Sequence, residues 1–375
     1  MTQPLDHPQD ANQEVRIAHT DLRTLLVKIY VRLGMFQAEA QIAADRQVEA
    51  DLRGLRSHGS RAAVRHAQAM DVGDVDPRGQ TLTQVQTPAV AVLDGGRNLG
   101  HVAATKAIKL AMEMARGVGT GTVAVRNSHH LGAASVYTLL AAREGLIAYC
   151  ATNTGRASVA AHGSKQAATA NNAFSWAAPT RSGIPFCLDM SCASTSWSKV
   201  ESLRIYGGLL PGEWALDGAG HPTNDPQQAK VLLPAAGPRG FGLAWQCSLL
   251  AGPLVGGKMP IQKTRHAQAE DSEHFFYVLD VSRFGHIENF YNQLDDAARQ
   301  VRELTPERPD QPVCLPGDIE HRRAEAWSQE GIPLHRGHVT ALEELADRYK
   351  IPVPLRSSAG AGSAPARPMA RHAPI

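Results

Sequence analysis

The stretch from residue 89 to residue 152 restricts the fold more than any other. "AVAVLDGG" alternates as a half-buried strand does, "HVAATKAIKLAMEMARG" repeats its apolar positions at helical spacing, and "TVAVRNS" is strand-like again. A second round comes at once: "AASVYTLLAARE" reads as a helix and leads through Gly145 into "LIAYCAT". Strands and helices in alternation predict an α/β architecture, to which "IPFCLDMSC" and "FFYVLDVS" add further strand-like runs.

The flanks are helical in texture. "DLRTLLVKIYVRLG" has apolar residues at 22, 25, 26, 29 and 33, with Thr20 as a candidate N-cap and Gly34 as a stop; "QAEAQIAADRQVEADLRG" comes next and ends at Gly54. In "LRSHGSRAAVRHAQAM" a short loop holding Ser57, His58 and Gly59 leads into a third helix. The late helices "ENFYNQLDDAARQVREL" and "HVTALEELADRY" are expected to return and pack on the first ones. The expected organisation is therefore a mainly helical, discontinuous domain from residues 15–85 and 285–352, around an α/β domain at 86–284. Residues 1–14 and the Ala/Pro/Gly/Ser-rich stretch 355–375 are expected to be disordered.

Charge narrows the function classes. With 38 basic against 36 acidic residues and no basic stripe carrying aromatics, nucleic acid is not an expected partner. No apolar run reaches the roughly 18 residues that span a bilayer, and the start lacks the form of a signal peptide, so the expectation is a cytoplasmic protein without membrane association. Five cysteines without a C-x-x-C pair suit reduced thiols, and no metal site is expected.

Several motifs carry candidate chemistry. "GTGTVA" at 119–124 satisfies G-x-G-x-x-A formally, but a helix precedes it and a strand comes after, the reverse of the dinucleotide fingerprint; Gly117, Gly119 and Gly121 read as a helix stop and turn. In "VRNSHHLG" the pair His129-His130 lies just past a strand end, where α/β proteins place ligand-facing loops, and His58 occupies a comparable loop. Imidazoles there suit proton transfer to or from a carbonyl oxygen, or serve as helix caps. Asp189, at the end of an apolar run, either orients a histidine and raises its pKa or caps the next segment of the chain. Arg239, among glycines ahead of an apolar helix, suits a phosphate or lies free at the surface, and "VCLPGDIEHRR" reads as a turn.

Together "DLRGLRSHG", "VRNSHHLG", "AAHGSKQAATANNAFSWAAP", "FCLDMSCAS", "LLPAAGPRGFGLA" and "PGDIEHRRAEAWSQEGIPL", in this order, resemble the malate/L-lactate dehydrogenase family of the second type. Ureidoglycolate dehydrogenases and Δ1-piperideine-2-carboxylate reductases belong to that family. The resemblance runs from about Thr20 to about Tyr349. It implies a non-Rossmann nicotinamide-binding fold with a mixed sheet, facing a helical domain built from both ends of the chain, in a homodimer. It also implies hydride transfer between NAD(H) or NADP(H) and a small carboxylate, a 2-oxo or 2-hydroxy acid. The alternatives are a cyclic imine carboxylate or a binding protein that has lost turnover.

Carried over by residue, the resemblance makes His58, His130 and Asp189 catalytic, with Asp189 paired to His58, and leaves His129 at a variable position. It assigns Ser57, Arg61 and Arg65 to the substrate, and Asn171, Asn172, Met190, Ser191, Arg239, Pro316, Gly317 and Asp318 to the cofactor. Three departures stand out. The family often has an arginine five residues after the serine of S-H-G; here that place is Ala62, and the arginine is Arg61, about 100° away around a helix. The usual G-T-N-P is "ANNA", and Trp176 stands where smaller residues are common and is expected to reshape the pocket.

Overall fold

In the computed structural model, residues 10–264 and 272–352 are described. The chain opens with β1 (Glu14–Ile17), α1 (His19–Arg32), α2 (Gln37–Leu52) and α3 (Ala63–Asp71), the last preceded by a single 3-10 turn at Ser60–Ala62. Next come β2 (Leu82–Gln86), β3 (Val90–Asp94), α4 (Gly100–Val118), β4 (Thr120–Ser128), α5 (Ser135–Arg143) and β5 (Leu146–Asn153), the alternation expected from sequence. The middle holds β6 (Val159–Ala160), β7 (Ala167–Thr169), β8 (Ala173–Ala178), β9 (Phe186–Ser191) and α6 (Trp197–Tyr206). After these come β10 (Ala215–Leu216), β11 (Pro222–Thr223), β12 (Val231–Leu232), α7 (Pro238–Ala251) and β13 (Ser272–Asp280). The chain closes with α8 (Ile287–Arg302), α9 (Asp318–Glu330), β14 (Ile332–His335) and α10 (Arg336–Arg348).

The largest sheet has seven strands in the order β2-β3-β4-β13-β5-β8-β9 and is mixed: β3 and β4 run parallel, and every other neighbour is antiparallel. Its period-2 alternation serves two cores. Ala148, Cys150, Phe276 and Val278 join α4 and α5 on one face, while Tyr149, Ala151, Phe275 and Tyr277 meet Ala244 and Cys247 of α7 on the other. A strand buried on both faces cannot slip by one residue without exposing one core, so β13 is fixed between β4 and β5. A separate core gathers Leu22, Leu25 and Ile29 of α1 with Trp327, Ile332 and Leu342 from the far end of the chain; of the two late helices expected there, α10 joins it and α8 contributes no residue.

Several sequence expectations are corrected. The first helix begins at His19 with Ala18 at its N-cap, and Thr20 lies inside it, its carbonyl accepting the Thr24 hydroxyl. Residues 10–14 take part in the fold: Glu14 pairs with His335 in the β1–β14 ribbon and bonds Arg56 at 2.6 Å. The stretch at 318–323 starts a helix instead of continuing a turn, and Arg239 lies inside the first turn of α7. Residues 1–9 and 355–375 lie outside the described residues.

Candidate active site

The Ser57-His58-Gly59 loop joins α2 to α3, and its glycine has a steric cause. A Cβ at Gly59 would stand 1.9 Å from Asp51 Oδ1. The other Asp51 oxygen accepts the Ser60 N–H at 2.8 Å, and burial pushes this carboxyl up to about 7. With the loop pinned from below, Ser57 Oγ and His58 Nδ1 meet at 2.7 Å.

Past the end of β4, the turn after Ser128 brings His130 to the same place. The His58 and His130 rings stack with centroids 5.5 Å apart and planes 24° apart. Gly132, at φ +83°, donates its N–H to His130 Nδ1 at 2.9 Å, so a neutral His130 carries its proton on Nε2. Dense surrounding protein and the charge of Arg65 hold His58 down at about 4; burial and the neighbouring His58 hold His130 well below the usual histidine value. The His130 residue as a whole is nevertheless exposed. His129 does not join them: its Nε2 lies 2.9 Å from the Asp74 carbonyl, and its own carbonyl accepts from His274.

Beside the pair lies a cavity of about 340 Å³, bounded by Ser57, Arg61 and Arg65 on one side and by Trp197, Ser198, Glu201 and Arg204 of α6 on the other. A wider groove of about 830 Å³ runs along α1, α2 and the chain around Ile351, but it holds none of these histidines. The smaller cavity is therefore the one next to the chemistry. Trp176 is not part of it: it packs on Tyr149 and Tyr277 at centroid distances of 5.4 Å.

The expected pairing of Asp189 with His58 is not found. Asp189 Oδ2 accepts the Ser135 N–H at 3.0 Å, because β9 runs past the start of α5, and burial raises its pKa. It caps a helix that precedes it in the chain. Nor do all expected cofactor residues keep a free hydrogen-bonding group. Asn172 is fully buried, with its amide nitrogen spent on Ser248 at 2.7 Å and on the Ala244 carbonyl, while its amide oxygen has no partner among the described residues. Asn171 uses both ends of its amide on the backbone of Ala193 and Thr195. Burial would raise the Asp318 carboxyl, but its bidentate pair with Arg302, at 2.7 and 2.8 Å, lowers it.

The other expected cofactor residues are spread along β9, the Pro316 turn at its start and Arg239 beyond its end. Pro316 is exposed, and its carbonyl accepts the Cys187 N–H, docking the Pro316-Gly317 turn on the strand that carries Met190 and Ser191. Arg239 is exposed one residue before Gly240, whose Cα packs on the Cys192 carbonyl so closely that a Cβ would fall 2.5 Å from it. Thr195 Oγ1 is buried there with no hydrogen-bond partner among the described residues. A cation and an unpartnered hydroxyl past one end of β9, and an exposed turn at the other, are groups of the kind that hold phosphates and riboses. This border runs directly into Trp197 and the cavity.

Sequence reasoning missed α6. "WSKVESLRIY" buries only Val200, Ser202 and Leu203 and has no apolar stripe, although Ser196 signals its start by capping the Lys199 N–H. No helix among the described residues is long and apolar enough to cross a membrane, and no group of three or more His, Cys, Asp or Glu side chains among them could hold a metal.

The mixed α/β sheet carries two stacked histidines next to Ser57 and a cavity lined by arginines, an arrangement of an enzyme with an acid/base site. Residues 17–343 match the family model described as malate/L-lactate dehydrogenase, and the chain belongs to that family. Malate dehydrogenase of Pyrococcus abyssi is 31% identical over 349 residues, covering 90% of this chain and 96% of that one. The malate/(S)-sulfolactate dehydrogenase of Methanothermus fervidus is 31% identical over 89% of this chain and 98% of its own length. Among solved structures, malate dehydrogenase from Pyrococcus horikoshii superposes with a TM-score of 0.84 at 28% identity, covering 93% of this chain and 99% of that one. A Δ1-piperideine-2-carboxylate reductase from Pseudomonas syringae reaches 0.79 at 25% identity, over 88% and 99%.

Proposed function

We propose that this chain is an NAD(P)-dependent oxidoreductase that interconverts a 2-oxo acid and its 2-hydroxy acid in the cytoplasm, as a homodimer. The observation that carries the reading is the His58–His130 stack beside a cavity lined with arginines. The 86–284 segment would hold the cofactor in a non-Rossmann manner, with the two ends of the chain forming the facing helical domain. A nicotinamide, when bound, supplies or accepts the hydride. Arg239, the Pro316-Gly317 turn, Met190 and Ser191 would hold the dinucleotide, and Asp189 would act by fixing the start of α5 behind His130.

The two rings divide the remaining work. His130 presents Nε2–H to the substrate oxygen and stays neutral, since protonating Nδ1 would break its bond from Gly132. His58 has no such obstacle. An anion in the cavity counters the burial cost and the repulsion from Arg65 and lets His58 carry the proton given to the alkoxide during reduction. Two rings 5.5 Å apart do not both charge, so the pair exchanges one proton per turnover.

The test is a fluorescence titration with NADH and NADPH, followed by pyruvate, oxaloacetate and Δ1-piperideine-2-carboxylate. Loss of nicotinamide signal on adding a 2-oxo acid is expected, and the same experiment chooses between the two cofactors. Turnover of the imine alone, or cofactor binding without any turnover, would overturn the reading.

A further inference from the structure

The cavity beside Ser57 lies between two separate apolar cores. The Ser57-His58-Gly59 loop leads into Ala63 and Ala67 of α3, which pack with α1 and α10, whereas α6 buries Val200 and Leu203 against Ala215 and Leu232 of a small sheet. Apolar packing has no preferred direction, so the spacing of the two walls falls to directional polar contacts. Two residues one turn apart on α6 make them. Ser202 Oγ accepts from Arg61 Nη1 at 2.9 Å, and the Tyr206 hydroxyl donates to Glu14 Oε1 at 2.9 Å. The same Glu14 oxygen accepts Arg56 Nη1 at 2.6 Å, so the links on α6 lead to the two arginines that bracket the loop. Glu14 reaches this junction from β1, and the Tyr206 ring lies edge-on to His335 of the paired strand β14, with centroids 4.9 Å apart. The Arg56 and Glu14 side chains are each 9% exposed, and a hydrogen bond to a charged, shielded acceptor is a strong one. Burial and then the Glu14 carboxylate push the Tyr206 phenol up to about 12, which keeps it a donor through the neutral range.

We infer that Tyr206 and Glu14 are positioning residues that set the width of the substrate cavity, by tying the far end of α6 to the segment that carries His58. The inference rests on the oxidoreductase reading of the same cavity. Trp197, Ser198, Glu201 and Arg204 form its α6 wall, on the turns ahead of Tyr206, while neither Tyr206 nor Glu14 lines it. Both act through α6. A helix held at its last turn keeps that wall from moving outward, so the space of about 340 Å³ favours short 2-oxo acids over long ones.

The experiment compares wild type, Tyr206→Phe, Glu14→Gln and Tyr349→Phe in steady-state reduction of pyruvate and 2-oxohexanoate with the cofactor that the wild type binds, and follows amide hydrogen exchange over residues 197–206. Tyr206→Phe keeps the ring on His335 and removes only the hydroxyl. Its ratio of kcat/KM for 2-oxohexanoate over pyruvate is expected to rise about fivefold, carried by KM, and α6 to exchange about tenfold faster, with the thermal midpoint within about 3 °C of wild type. Glu14→Gln, which keeps an oxygen for the hydroxyl, is expected to hold the ratio within about twofold of wild type. Tyr349→Phe, which removes a hydroxyl bonded to Asp71 at 2.9 and 3.0 Å on the other groove, is expected to change neither readout. An unchanged ratio in Tyr206→Phe, or an equal loss on both acids, would overturn the inference while wild-type turnover upholds the reading. Unchanged exchange over α6 would overturn it without reference to turnover. Absence of wild-type turnover with every 2-oxo acid would remove the reading, and the inference with it.

Discussion

Two histidine pairs lie close together in this protein, and they differ in what surrounds them. His58 and His130 stack at 5.5 Å next to Ser57, a wall residue of the cavity, and the His130 residue is exposed. His66 and His101 meet edge to face at 5.3 Å; His101 is 1% exposed and neither of its ring nitrogens has a partner among the described residues, while His66 Nδ1 lies 3.1 Å from the Tyr30 hydroxyl and 2.9 Å from the Gln47 amide. All four are held below the ordinary histidine value by burial. Depressed pKa values therefore do not separate a reactive pair from a structural one. Access and a defined tautomer do.

The largest expected effect tests that separation. His130→Ala should lower turnover at least about 100-fold, whereas His101→Phe should stay within about threefold of wild type in the same assay. Equal losses would mean that the sealed pair takes part in proton transfer. The pH dependence of reduction divides the two open rings: His58→Gln should lose the alkaline limb of the kcat profile, where wild-type His58 gives up its proton, and His130→Gln should keep it at reduced height.

Acid stability comes next. His58, with a pKa of about 4, and His101, about 3, stay neutral in the fold but protonate near 6.5 when unfolded. Their share of stability is complete above pH 6.5 and is lost as pH falls toward 4 and then 3. Asp51, raised to about 7, works the other way, favouring the fold as pH falls from 7 toward 4, but it is one group against several. Urea denaturation should therefore give a lower midpoint at pH 5.5 than at 7.5. In His101→Phe the decline should be shallower, by about 1.4 kcal/mol per pH unit below 6.5.

Gly132 is the joint between the pairs. A Cβ there would stand 2.7 Å from His101 Nε2, on a backbone at φ +83°. Gly132→Ala should cost about 2 kcal/mol of unfolding free energy, and adding His101→Ala should return part of it; strict additivity would show that the pairs are independent. The smallest effect is expected from His101→Phe at pH 7.5, within about 1 kcal/mol of wild type, since an apolar ring replaces nitrogens that have no partner among the described residues.

Local features are legible in the chain. The periodicity from 89 to 153 gives the strands and helices that form there, and the Ser57-His58-Gly59 loop and His130 stand out because each sits at a junction of two elements. Partnerships across elements are not legible. Asp189 meets Ser135 instead of His58, and Asp318 closes on Arg302, since each carboxylate takes whichever donor a neighbouring element presents. Asn172 reads as a loop amide, but α7 packs over it. The β1–β14 ribbon joins two four-residue runs more than 300 residues apart, too short to carry a pattern and too distant to suggest each other.

By itself the sequence determined the alternating elements and the presence of imidazoles and guanidinium groups at loop ends. These arise from periodicity and from backbone conformations that act over a few residues. Only the tertiary structure decided that β13 inserts between β4 and β5, that His130 is exposed while His101 is sealed, and that Arg61 reaches a serine on α6. Each of those depends on which surfaces meet, and burial, tautomer and charge pairing have no value until they do.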